Sequence, residues 1–75
     1  MIIIDQKQNA IMDTNKITII GKGKSLNGKT NILAIYGEND KNIILGQYDE
    51  KNVKYIMNNI FKAMSNNTKC YRMPK

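Results

Sequence analysis

Residues 1–4 (Met-Ile-Ile-Ile) form a short unbroken apolar run that gives way to polar residues at 5–9. The run predicts a strand covered on both faces, because successive side chains of a strand point to opposite sides. Ala10, Ile11 and Met12 predict a second short strand, ended by Asp13-Thr14-Asn15, and the β-branched stretch 17–20 predicts a third. Residues 21–29, rich in glycine and lysine with a strong Asn27-Gly28 turn signal, read as a flexible connection. Residues 30–36 carry the clearest strand pattern, with Ile32, Ala34 and Tyr36 on one face and Leu33 and Ile35 on the other. A hairpin turn at 37–40 returns the chain as a strand over 42–45, and Gly46 supplies a bend.

From there the apolar period lengthens. Val53, Ile56, Met57, Ile60 and Met64 follow the i, i+3, i+4, i+7 spacing of one helical face. Asp49 stands at the N-cap position, and Glu50 adds negative charge at the positive end of the helix dipole. Lys62 lies in the last turn, and Ser65-Asn66-Asn67 stops the helix because Asn tolerates the left-handed conformation. Tyr48 is placed to pack over the helix start. Residues 69–73 predict a last strand.

The order β-β-β-β-β-α-β over one domain, 1–75, predicts an α+β fold. It is a small antiparallel β-meander of about five strands, with one amphipathic helix over about 49–65 on one face and a short C-terminal strand. One helix covers one face of a sheet, whereas 1–4 and 30–36 are apolar on both. A homo-oligomer is therefore expected over a monomer.

Composition narrows the function classes. The chain has 75 residues, 41% of them hydrophobic and 24% charged, which suits one small folded domain. No basic leader or long apolar run predicts secretion or a membrane span, and a lone cysteine, Cys70, closes no intramolecular disulfide. The expected location is the host-cell cytoplasm. With no histidine and one cysteine, neither a metal nor another cofactor is called for. The net charge of +6 favours partners that carry phosphate and argues against mimicry of DNA. Heavy use of Asn, Lys and Ile also matches an AT-rich genome, which raises lysine content without a functional cause.

Few residues suggest chemistry. Gly23-Lys-Ser-Leu-Asn-Gly28-Lys29-Thr30 fits the phosphate-binding pattern G-x-x-x-x-G-K-T letter for letter, but that loop works by opening a helix, and here a strand pattern follows. What remains is a loop carrying Lys22, Lys24 and Lys29, which suits an anion as well as it suits plain solvation. On the helix, Lys51, Tyr55, Asn58, Asn59 and Lys62 line the side away from the core. A tyrosine among lysines and asparagines suits base stacking, a protein interface or an ordinary solvated face. Tyr71 and Arg72 invite the same readings. Cys70 has basic neighbours but no histidine partner, and the carboxylates are explained by caps and turns, so no catalysis is expected.

The opening Met1-Ile-Ile-Ile-Asp-Gln6, the Leu45-Gly-Gln-Tyr48 strand end before the helix and the terminal Tyr71-Arg-Met-Pro74 resemble a group of small proteins from Firmicutes phages, prophages and conjugative elements. The resemblance spans most of the chain, least in the middle loop. It departs at Val53-Lys54, where the group has an early helical alanine, and at Cys70, where it has valine. These motifs are structural and bring no binding residues with them. The resemblance implies a mobile genetic element in a low-GC host.

Small proteins of such elements often act by binding, commonly to block host defence. The expectation is a non-enzymatic anti-defence inhibitor, of which anti-CRISPR proteins are one kind. Its partner would be a defence nuclease, the guide RNA or an anionic nucleotide signal, the last suited to an intersubunit pocket lined by lysines of the glycine loop. The alternatives are a nucleic-acid-binding regulatory module and a self-assembling phage component.

Overall fold

A computed structural model describes residues 1–37 and 41–75. The elements are β1 (Ile2–Ile4), β2 (Ile11–Asp13), a 3-10 turn (Thr14–Lys16), β3 (Ile17–Leu26), β4 (Lys29–Tyr36), β5 (Lys41–Asp49), α1 (Glu50–Ser65) and β6 (Cys70–Arg72). The α+β class and the expected order hold, with the strands divided between two sheets. β1 lies between β2, antiparallel to it, and β6, parallel to it, while β3, β4 and β5 form an antiparallel meander. The turn expected at 37–40 falls mostly on 38–40, outside the described residues.

Gln6 joins the sheets. Its backbone N–H donates to the Leu45 carbonyl at 2.8 Å, and its side-chain amide both accepts from and donates to the backbone of Gln47. The side chain thus behaves as one more strand residue and covers part of the β5 edge, where unpaired backbone groups invite unwanted pairing.

The glycine-lysine stretch is not a flexible loop. β3 runs on to Leu26, with a bulge between Lys22 and Ser25, and only Asn27 and Gly28 turn. Both adopt positive φ, 54° and 77°, as a two-residue hairpin connection requires. Gly23 sits in strand because Leu33 lies across it: a Cβ there would come within 3.0 Å of Leu33 Cδ1. Gly46 is likewise not a bend. It is buried within β5 under the ring of Tyr48, which a Cβ would meet at 2.6 Å. Tyr48 itself, expected over the helix start, is buried in the core, and its hydroxyl donates to the Pro74 carbonyl at 2.5 Å.

The core gathers between the sheets and the helix: Ile3, Ile32, Ala34, Leu45, Tyr48, Val53, Ile56, Ile60 and Met73. The helical stripe is rotated slightly from expectation. Ala63 is buried, while Met57 is half-buried and Met64 is exposed. At the C-terminus the Asn67 N–H donates to Met64 and the Thr68 N–H to Ala63, with Asn67 at φ 57°. That is the paired-bond, left-handed stop anticipated from the asparagines.

Candidate partner-binding surface

Glu50, the first residue of α1, organises the end of the molecule where the hairpin meets the helix. Its carboxylate accepts from the hydroxyls of Thr30 and Ser25 and from Lys22 Nζ, the last at 2.9 Å. Thr30 is fully buried. These donors, Thr30 foremost, then Lys22 and Ser25, pull the Glu50 carboxyl down to about 2. Beside it, Lys29 Nζ donates to Asp49 Oδ1 at 2.5 Å and holds that carboxyl below its ordinary range. Asp49 precedes the helix but makes no side-chain cap bond, because Lys29 engages it.

This arrangement decides the phosphate-loop reading. Ser25, Lys29 and Thr30 belong to two antiparallel strands, no helix begins at Lys29, and the nearest helix N-terminus already holds the Glu50 carboxylate. Lys22 and Lys29 are ion-paired within the chain. Lys24, in the bulge, is exposed. The three lysines therefore do not converge on an anion, and the intersubunit nucleotide pocket expected from a glycine loop loses its loop.

The outward face of α1 differs. Lys51, Lys54, Tyr55, Asn58 and Lys62 are all exposed, Tyr55 at 70%. Spacings of three, four and seven residues place them along one stripe opposite Val53, Ile56 and Ile60. None of these lysines forms an ion pair among the described residues, and Glu50 is the only acid on the helix. Asn59, expected on the outward face, is half-buried. Tyr71, itself half-buried, has its phenol pushed up by burial and by neighbouring Tyr55. Arg72 stands apart: Tyr71 pairs with buried Ile3, so the next residue points to the opposite, outer face of its sheet.

Sequence reasoning passed over Lys54 and Phe61. Lys54 was legible from its i+3 spacing to Lys51. Phe61 is 67% exposed beside an apolar groove of about 280 Å³ against β3, lined also by Ile19, Ile20 and Met64. The helical period leaves Phe61 off the core stripe but does not indicate the groove beside it. Among the described residues no three of His, Cys, Asp and Glu gather to hold a metal, and no helix is long and apolar enough to cross a membrane. The fold and this surface define a small two-sheet α+β protein with a basic, tyrosine-bearing helix face. No protein-family model, no curated protein and no solved structure matches the chain.

Proposed function

We propose that this is a non-enzymatic anti-defence protein that uses the outward face of α1 to dock onto an anionic surface of a defence nuclease or of its guide RNA. One observation supports this most. All four described acids are engaged inside the fold: Asp5 and Asp13 accept backbone N–H groups, and Asp49 and Glu50 hold lysines. Of twelve basic residues only Lys22 and Lys29 form ion pairs among the described residues. The excess positive charge is thus presented outward, and on α1 it surrounds an exposed tyrosine, a residue type favoured at interfaces and for base stacking. The anti-defence role itself rests on the sequence resemblance to mobile-element proteins.

The test is phage plating on a host carrying a defined defence system, with and without this protein. Wild type is expected to restore plating, and the triple variant Lys51→Glu, Lys54→Glu, Lys62→Glu to lose that effect with its melting temperature unchanged. Full activity of the folded triple variant overturns the assignment of the surface. No rescue by wild type against any system tested overturns the role. A labelled single-stranded RNA and a labelled poly-glutamate peptide separate the two partner classes. RNA binding that weakens with salt, with a slope shallower by about 2 in the triple variant, marks nucleic acid as the target.

A further inference from the structure

The meander has a second face, turned away from α1, and its composition differs from the rest of the molecule. Register places Ile19 opposite Ile35 and Ile44 opposite Leu33, so four aliphatic side chains lie together across the three strands. Leu33 and Ile35 in the middle are half-buried, while Ile19 and Ile44 on the flanks are 57% and 55% exposed. Ile19, on the edge strand, also borders the groove against α1, but its Cγ2 lies on the Gly21 side. Gly21, opposite Leu33, leaves a recess there, since a Cβ built on it would meet only Ile19 Cγ2, at 3.9 Å. We infer that this face packs against the same face of a second copy of the chain, forming a two-fold dimer.

Charge selects the occupant. In a chain of net charge +6, a surface that closes on its own copy must carry no net charge of its own. Among the described residues, register puts Lys29 and Asp49 on this face, paired with each other, and Asp5 and Lys7 border it beside Ile44 and Gln47, one charge of each sign. Asn31, Gln47 and Asn42 are the other polar members. A phosphate-rich ligand or an acidic protein finds Lys29 already paired and Lys7 with Asp5 in the same hollow, so the face sums to no net charge. The α1 face and the β3 edge, by contrast, carry Lys51, Lys54 and Lys62, and Lys16 and Lys24, none of them ion-paired among the described residues. Those surfaces would repel their own copies.

Size sets the strength. β4 has eight residues, and at about 3.3 Å per residue, with strands about 4.8 Å apart, the patch measures roughly 26 by 10 Å between strand axes. Side chains widen it, but it stays below the ~800 Å² per partner of a standard interface. An interface of that size belongs with the weak, transient class, so association is expected to depend on concentration. This inference does not depend on the function proposed for the helix face, which stays open in such a dimer.

Sedimentation equilibrium in reductant, so that exposed Cys70 does not join chains, reads the result directly. Mass is expected to rise with concentration from 8.6 kDa to twice that value and to stop there. Ile44→Lys is expected to weaken association more than tenfold at unchanged circular dichroism, and Phe61→Lys, in the helix groove, to leave it unchanged. A chain that stays monomeric at millimolar concentration overturns the inference. So does a dimer that survives Ile44→Lys and dissociates with Phe61→Lys.

Discussion

Glu50 accepts a hydrogen bond from Thr30, so an exposed carboxylate at the start of the helix is tied to a fully buried hydroxyl on the central strand of the meander. The contact fastens the first residue of the helix to the sheet, where no side chain caps the helix itself. The remaining donors, Ser25 and Lys22, belong to β3, so one side chain ties α1 to two strands of the hairpin.

The first prediction follows from its protonation. The folded-state pKa of Glu50 is lowered from 4.5 to about 2. A depressed acid stabilises the fold above its unfolded value and loses that contribution as pH falls through the folded one. Asp49 is lowered as well and acts in the same direction. The melting temperature is expected to fall as pH drops from about 4.5 toward 2. Glu50→Gln should lower it at neutral pH and flatten the acid slope, leaving the part due to Asp49. Thermal melts across that range check both.

Gly46 and Gly21 make a matched pair. Alanine at Gly46 collides with the Tyr48 ring, which burial and the Pro74 bond prevent from moving aside, whereas alanine at Gly21 meets only ordinary contact. Gly46→Ala should cost about 1–3 kcal/mol as overpacking. Gly21→Ala should be neutral or should stabilise by up to about 1 kcal/mol by restricting the unfolded chain. Urea unfolding of the two variants gives the comparison.

Asn67 holds a left-handed conformation at the end of α1. Asn67→Ala should destabilise by about 1 kcal/mol, while Asn67→Gly should be neutral or mildly stabilising, since glycine adopts that conformation without steric cost. A gain from alanine would mean that the stop is not needed.

Ile32 is fully buried at the centre of the core. Ile32→Ala should cost about 2–5 kcal/mol. That is a large share of the ~4–11 kcal/mol typical for a chain of this length, so loss of a cooperative melt at 37 °C is the expected readout.

The helix, its stop and the class of fold were legible because period and cap chemistry act within a few residues of each other. The extent of β3 was not. Gly21, Lys22, Gly23 and Lys24 carry loop propensity, and they lie in strand because of what faces them: Leu33 across Gly23, and Glu50 at the end of Lys22. The same tertiary contacts drew Lys22 and Lys29 away from the anion-binding role their spacing suggested. Lys51, Tyr55 and Lys62 could be placed outward because a helix fixes its own faces. Pairing partners have no such local signature, so nothing in residues 1–4 or 69–73 announced that β1 and β6 lie side by side and parallel.

That parallel pair governs when the molecule can close. β1 is the middle strand of its sheet, yet one of its two neighbours, β6, is reached only after the meander and the helix. During synthesis the meander and α1 can assemble first, with β1 held on one side by β2 alone. The fully buried Ile3 gains Tyr71 beside it, and Tyr48 gains the Pro74 carbonyl, only when residues 71–74 leave the ribosome. At about 5–20 residues per second the interval is short. Through it β1 remains an open template, and removing residues 70–75 would make that state permanent.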